Sequence, residues 1–217
     1  MKHLLALVVT TGILLTAISH AQAASITTTF ANNNSFDGNM FDLTTFNNAL
    51  TVNSLAINLA AGTASEIRVY TRNGTYTGFE SNAAAWTLVS QSFNILSAGT
   101  DNPTFVDVMD FSLLANSVTG IYITTTGQDN GNPFMLYTNG SNTFANADLQ
   151  LNLGVGKEAL FGRTFSPRTW NGTINYTVQN SGTPGAVPEP GTIFLMSTGL
   201  TGLAVWRMRK GKEVTEK

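Results

Sequence analysis

No cysteine occurs in the chain, so it has neither a disulfide framework nor thiolate chemistry. Its two histidines, His3 and His20, both lie close to the N-terminus. The rest of the chain has no imidazole. That excludes Ser-His-Asp and Cys-His catalysis there, and removes the side chains that most zinc sites need. Charge is scarce as well, at 11% of residues. Within residues 24–186 ten acidic residues stand against five basic ones, a net charge of −5, and no basic run occurs. Such a body is a poor partner for phosphate backbones, and nucleic acid is set aside as a ligand. Sustained helical periodicity is also missing between 24 and 186.

Thr, Asn, Ser and Gly stand where charges would be. They suit strands with neutral polar outer faces joined by tight turns. Alternating patterns recur: Leu55, Ile57 and Leu59; Ile67 and Val69; Trp86, Leu88 and Ser90; Val106 and Val108; Ile121 and Ile123; Leu149, Leu151 and Leu153; Ile174, Tyr176 and Val178. Turn clusters separate them, among them Asn73-Gly74, residues 99–103, residues 129–133, Asn139-Gly140 and Asn171-Gly172. The spacing predicts roughly nine or ten strands in an all-β, two-sheet β-sandwich, jelly-roll-like or immunoglobulin-like. A short helix is expected at Ser81 to Ala85, and residues 181–187 read as a linker.

The two ends carry addresses. Lys2 precedes an apolar run from Leu4 to Ala17, and Ala21-Gln22-Ala23 follows as a small-x-small site. This is the pattern of a signal peptide helix over 1–23, cut by signal peptidase after Ala23. At the other end, Pro188-Glu189-Pro190 fixes an extended segment that cannot enter a helix. An apolar stretch, 192–206, comes next and is expected to be a transmembrane helix. Arg207, Arg209 and Lys210 then stop transfer and hold residues 212–217 in the cytoplasm.

This ordered trio over 188–211 resembles the PEP-CTERM sorting signal. The resemblance implies an exosortase that cuts near the tripeptide. It implies a precursor anchored in the inner membrane of a Gram-negative bacterium, facing the periplasm, then a cell-surface or extracellular protein. It also implies an association with exopolysaccharide.

The outer domain, 24–180, offers candidate chemistry, each with a plainer alternative. Asp129, Asn130 and Asn132 present hard oxygens in a turn, as calcium prefers, or are Asx residues bonding their own backbone; Asp101 is a further donor of the same kind. Trp170, with Arg168 and Asn171 beside it, is the leading candidate for glycan stacking, together with Tyr70, Tyr76, Trp86, Tyr122 and Tyr137; core packing is the alternative for each. Lys157, Arg163 and Arg168 form the only basic neighbourhood, suited to an acidic polysaccharide or simply solvated. Asp107, Asp110, Glu66, Glu80 and Glu158 show no pairing of the kind a glycosidase needs. The reading is therefore a non-enzymatic exported surface or matrix protein with no cofactor. Its rivals are a carbohydrate-binding module and a polysaccharide hydrolase or lyase.

Overall fold

Every second residue of Leu50-Thr51-Val52 and of Leu55-Ala56-Ile57 is apolar, and in an extended chain those side chains share one side. In the computed structural model, which describes residues 22–126, 131–158 and 160–179, they lie on strand β4 (Ala49–Asn58) with their apolar side buried. β4 pairs antiparallel with β7 (Pro103–Leu113) and with β14 (Gly172–Gln179). β1 (Gln22–Thr27) closes the far edge, giving a four-stranded sheet in the order β1-β14-β4-β7.

The second sheet is larger. β3 (Gly38–Thr45), β5 (Thr63–Asn73), β6 (Thr87–Leu96), β8 (Val118–Thr124), β10 (Thr143–Ala145) and β11 (Leu149–Lys157) run in the order β10-β11-β3-β8-β5-β6. β12 (Thr164–Phe165) pairs with β11 off this path. A third, small sheet joins β13 (Arg168–Trp170), β9 (Met135–Asn139) and β2 (Asn34–Phe36). The chain passes repeatedly between the two main sheets: β3 lies in the larger, β4 in the smaller, β5 and β6 in the larger, β7 in the smaller, β8 in the larger and β14 in the smaller.

One apolar core lies between the main sheets. Leu50, Val52, Leu55, Ile57, Val106 and Ile174 enter it from the smaller sheet, and Phe41, Leu43, Ile67, Val69, Ile121 and Ile123 from the larger. The protein is a β-sandwich, as the alternating pattern predicts. The strand count is higher than expected, with fourteen strands among the described residues. The extra ones are mostly short segments, such as β2, β10, β12 and β13, too brief to show alternation. Ser81 to Ala85 contains one 3-10 turn, Ala83–Ala85.

Three of the four Asn-Gly pairs behave as expected, with Gly74 at φ +78°, Gly131 at +75° and Gly140 at +101°. Asn171-Gly172 does not. Both residues are buried, and Gly172 already belongs to β14, paired with Ile57. A Cβ there would sit 2.2 Å from the Trp170 ring and 2.5 Å from the Ala56 carbonyl, so glycine is required by close approach and not by a turn.

The sandwich is also stitched by polar bonds. The Tyr176 hydroxyl on β14 donates to Asp148 Oδ2 at 2.9 Å and accepts from Asn146 Nδ2 at 2.7 Å. Both partners lie in the β10–β11 turn, so the bonds tie the smaller sheet to the larger. Burial pushes the phenol up to about 12, so it stays protonated through the ordinary pH range. Tyr176→Phe keeps the ring and strands the Asp148–Asn146 pair. It is expected to cost about 1–2 kcal/mol, read as a lower urea midpoint with unchanged slope.

Candidate functional site

The aromatic residues that the sequence nominates for a sugar-binding face separate into two sets. Tyr70, Tyr122 and Trp86 gather on the outer side of the larger sheet. Cross-strand register places Tyr70 beside Tyr122, Tyr122 beside Met40, and Met40 beside Val155, all on that side. Phe161, which no sequence pattern marks, completes the group at 5.1 Å from Tyr122 and 5.2 Å from Tyr70, both edge-to-face. Trp86 packs edge-on against Tyr122 at 6.1 Å.

This cluster is a second small core and not an open platform. Tyr122 is wholly buried, and Tyr70 and Trp86 are each 8% exposed. The segment 74–86 is laid over it and fastened at several points. Asp42 accepts from Thr75 Oγ1 at 2.6 Å and from the Tyr76 amide at 2.8 Å. Trp86 Nε1 donates to the Phe79 carbonyl at 2.9 Å, and the Arg72 guanidinium sits 3.6 Å over the Phe79 ring. Tyr76 covers Gly154, where a Cβ would collide with its hydroxyl. Burial pushes the Tyr76 and Tyr122 phenols up.

The neighbouring row on the same side carries charge. Arg68 pairs with Glu66 at 2.8 Å and lies 3.4 Å from the Tyr70 hydroxyl. The hydrogen bond from Arg68 holds the Glu66 carboxyl below its usual range, against the opposing effect of burial. Lys157 lies at the other end of the row and is fully buried. Its Nζ donates to the Gly162 carbonyl and, at 2.7 Å, to Thr164 Oγ1. Burial drives its pKa down to about 8, with only a counteracting attraction from Glu80.

Trp170, Tyr137 and Asn171 are placed inside the protein. Trp170 is 0% exposed and stacks on Phe41 at 5.1 Å within the main core. A sugar cannot reach that ring, which corrects the nomination of Trp170 as a stacking residue. Asn171 is equally buried, its Oδ1 accepting from Thr138 Oγ1 at 3.0 Å. Arg168 donates to the Pro167 carbonyl at 2.8 Å and lies 5.7 Å from the Tyr137 ring. The physical reason is the β13–β14 junction: a Trp between a strand end and a close-packed glycine is drawn into the core, where its apolar area is removed from water. The basic neighbourhood does not form a charged face either. Lys157 is buried, while exposed Arg163 is paired with Glu158 at 2.8 Å.

Of the calcium candidates, Asp129 and Asn130 lie outside the described residues. Asn132 is 3% exposed, and its Oδ1 accepts from the Ser65 amide and hydroxyl, each at 2.7 Å. It acts as a turn brace. Asp101 is likewise engaged, accepting from the Asn32 amide at 2.9 Å, from Asn32 Nδ2 and from Asn58 Nδ2. Those bonds, Asn32 first, hold its carboxyl below the usual range.

Ala23 falls in β1, paired with Thr177. Ala21, Pro188, Glu189, Pro190, Arg207, Arg209 and Lys210 lie outside the described residues, as do the expected helices at both ends. Among the described residues no helix is long and apolar enough to cross a membrane. No curated protein matches the chain. Residues 186–210 match the PEP-CTERM protein-sorting motif, which bears the Pro-Glu-Pro tripeptide, the apolar run and the basic cluster in that order. The chain is a protein that carries the PEP-CTERM sorting motif at its C-terminal end, behind a β-sandwich.

Proposed function

We propose that the chain is an exported, non-enzymatic surface or matrix protein whose β-sandwich is delivered through its C-terminal motif into an exopolysaccharide-rich exterior. The observation that carries this reading is the match over 186–210, placed behind an N-terminal leader pattern. In it, signal peptidase removes residues 1–23, leaving Ala24–Thr27 of β1 in register with Thr173–Tyr176. An exosortase then acts near Pro188-Glu189-Pro190 while 192–206 spans the inner membrane, with Arg207, Arg209 and Lys210 on the cytoplasmic side. The sandwich faces the periplasm at that stage.

Two features support a structural role for the domain. Several of its acids are spent on internal bonds: Glu66 with Arg68, Glu158 with Arg163, Asp42 with Thr75, and Asp148 with Tyr176. The outer face of the smaller sheet is laddered by neutral pairs, Thr27–Thr173 at 2.8 Å, Ser54–Asn175 at 3.0 Å and Asn53–Thr177 at 2.8 Å. Over β1, β14 and β4 this ladder keeps the face soluble through neutral groups, which polysaccharide does not repel. The order of the main strands supports the jelly-roll alternative over the immunoglobulin-like one. Taking β1, β3, β4, β5, β6, β7, β8 and β14 as first to eighth, the sheets run 1-8-3-6 and 2-7-4-5, the pattern of interlocked Greek keys.

Truncation after Ala186 is expected to convert the protein into a freely soluble periplasmic or secreted form. Fractionation of cells expressing full-length and truncated chains checks this. Retention of the truncated form in the membrane fraction refutes the tail as anchor. Intact-mass analysis of the full-length protein recovered from cells reads the two cuts directly, near Ala23 and near Pro190.

A further inference from the structure

We propose that the sandwich holds a binding groove for a neutral sugar or similar polyol at the end where β5 leaves and β8 enters the larger sheet. A groove of about 300 Å³ lies there, lined by Thr71, Asn73, Ser112, Leu114, Val118 and Thr119, with Gly74 and Ser117 completing the wall. None of these residues carries charge. An ionic ligand would lose its hydration there without gaining a counter-ion, and the domain's net charge of −5 further disfavours an anionic glycan.

Four polar side chains of the lining are available, while the Ser117 hydroxyl is engaged in the wall. No hydrogen bond to a described residue engages the Thr71, Ser112 or Thr119 hydroxyl or the Asn73 side-chain amide. A hydroxyl both donates and accepts, and an amide side chain does the same with two atoms. A ligand that satisfies them needs alternating donors and acceptors of its own, which sugar hydroxyls supply and an apolar ligand does not. Leu114, 68% exposed, and Val118, 40% exposed, add an apolar flank for the CH face of a pyranose ring. The volume stands at the lower end of ligand sites and suits a mono- or disaccharide unit.

The walls are built in advance. Ser117 Oγ donates to the Leu114 carbonyl at 2.6 Å, and Thr45 Oγ1 is a second donor to that carbonyl. The Asn116 amide donates to Phe46 at 2.7 Å, and Asn116 itself takes a positive φ of 50°. On the facing side the Gly74 amide donates to Val118 at 2.9 Å and the Gly120 amide to Gly74 at 2.8 Å. A groove held this way loses little entropy when it is filled. The sequence shows no motif for it, because its residues come from three strands and two connecting segments.

The test uses the full-length protein in a non-glycosidic detergent, with cellobiose and mannobiose as neutral probes and a glucuronic acid disaccharide as the charged control. Titration followed by isothermal calorimetry and ligand-observed NMR is expected to show saturable binding of a neutral probe with Kd of about 1 mM or tighter. Thr119→Val and Ser112→Ala should each weaken it about fivefold or more at unchanged Tm, one neutral hydrogen bond's worth. Leu114→Glu, at an exposed site, should abolish it. Absence of saturable binding by either neutral probe overturns the proposal. So does binding indifferent to all three substitutions, or equal affinity for the glucuronide. The groove lies wholly within the sandwich, so its failure leaves the sorting reading intact, and failure of the truncation test leaves the groove intact.

Discussion

Trp170→Ala is expected to lower stability by about 4 kcal/mol, enough to move Tm down by roughly 10 °C in a domain of this size. The indole is wholly buried, stacked on Phe41, and enclosed by the Gly172 backbone, which a Cβ at that position would bring to 2.2 Å from the ring. Removing it leaves a cavity that rigid strands on either side cannot close. The loss is one of packing alone, because the indole Nε1 has no hydrogen-bond partner. Urea denaturation of wild type and variant reads the effect. Gly172→Ala gives an independent check. It collides with both the Trp170 ring and the Ala56 carbonyl, so the double variant is expected to be less destabilised than the sum of the singles, the ring clash having gone. A Trp170→Ala cost below about 1 kcal/mol would mean that the ring lies at the surface, and would return it to the candidates for sugar stacking.

That same residue shows where the sequence is silent. Strands with one covered face are legible in it: Leu55 and Ile57, and Ile174, Tyr176 and Val178, alternate with small or polar neighbours, and each of these apolar members is buried. β3 is not legible, although it is central to the larger sheet. Its burial runs through Gly38, Asn39, Met40 and Phe41 without a break, because the main core covers Phe41 and the second aromatic cluster covers Met40. A strand covered on both sides loses its period-two signature. Trp170 fails for a related reason. Its neighbours Asn171 and Gly172 signal a turn and hence a surface, yet glycine here serves close packing.

The site was less legible than the fold. The grouping of Tyr70, Trp86 and Tyr122 follows from strand register, which a single sequence does not encode, and Phe161 joins them from a turn far along the chain. The groove beside Thr119 rests on side chains that are individually commonplace in a Thr- and Ser-rich chain. The sorting motif at 186–210 is legible because its elements are contiguous. Chemistry carried by consecutive residues survives in sequence; chemistry assembled across a sheet does not.

Lys157 gives the second large effect, and its sign follows from burial. Its pKa falls from 10.5 to about 8 in the folded protein, while the unfolded chain keeps the ordinary value. Below about pH 8 both states are charged, and the fold bears the cost of an ammonium removed from water. Between about 8 and 10.5 the folded amine has lost its proton and the unfolded one has not, so stability rises with pH across that window. The gain is on the order of 2–3 kcal/mol. Other groups oppose it at the top of the range: the buried tyrosines, Tyr176 among them, keep their protons longer when folded and so lose stability above about pH 10. The comparison that isolates the lysine is therefore with Lys157→Met, which fills a similar volume and leaves the tyrosines alone. At pH 7 the variant is expected to be close to wild type, since the removed desolvation cost offsets the bonds lost at the Gly162 carbonyl and Thr164. By pH 10 wild type should be the more stable by about 2–3 kcal/mol in urea denaturation. A difference that stays flat from pH 7 to pH 10 would mean that the amine reaches water and titrates normally, and the buried placement of Lys157 would fall with it.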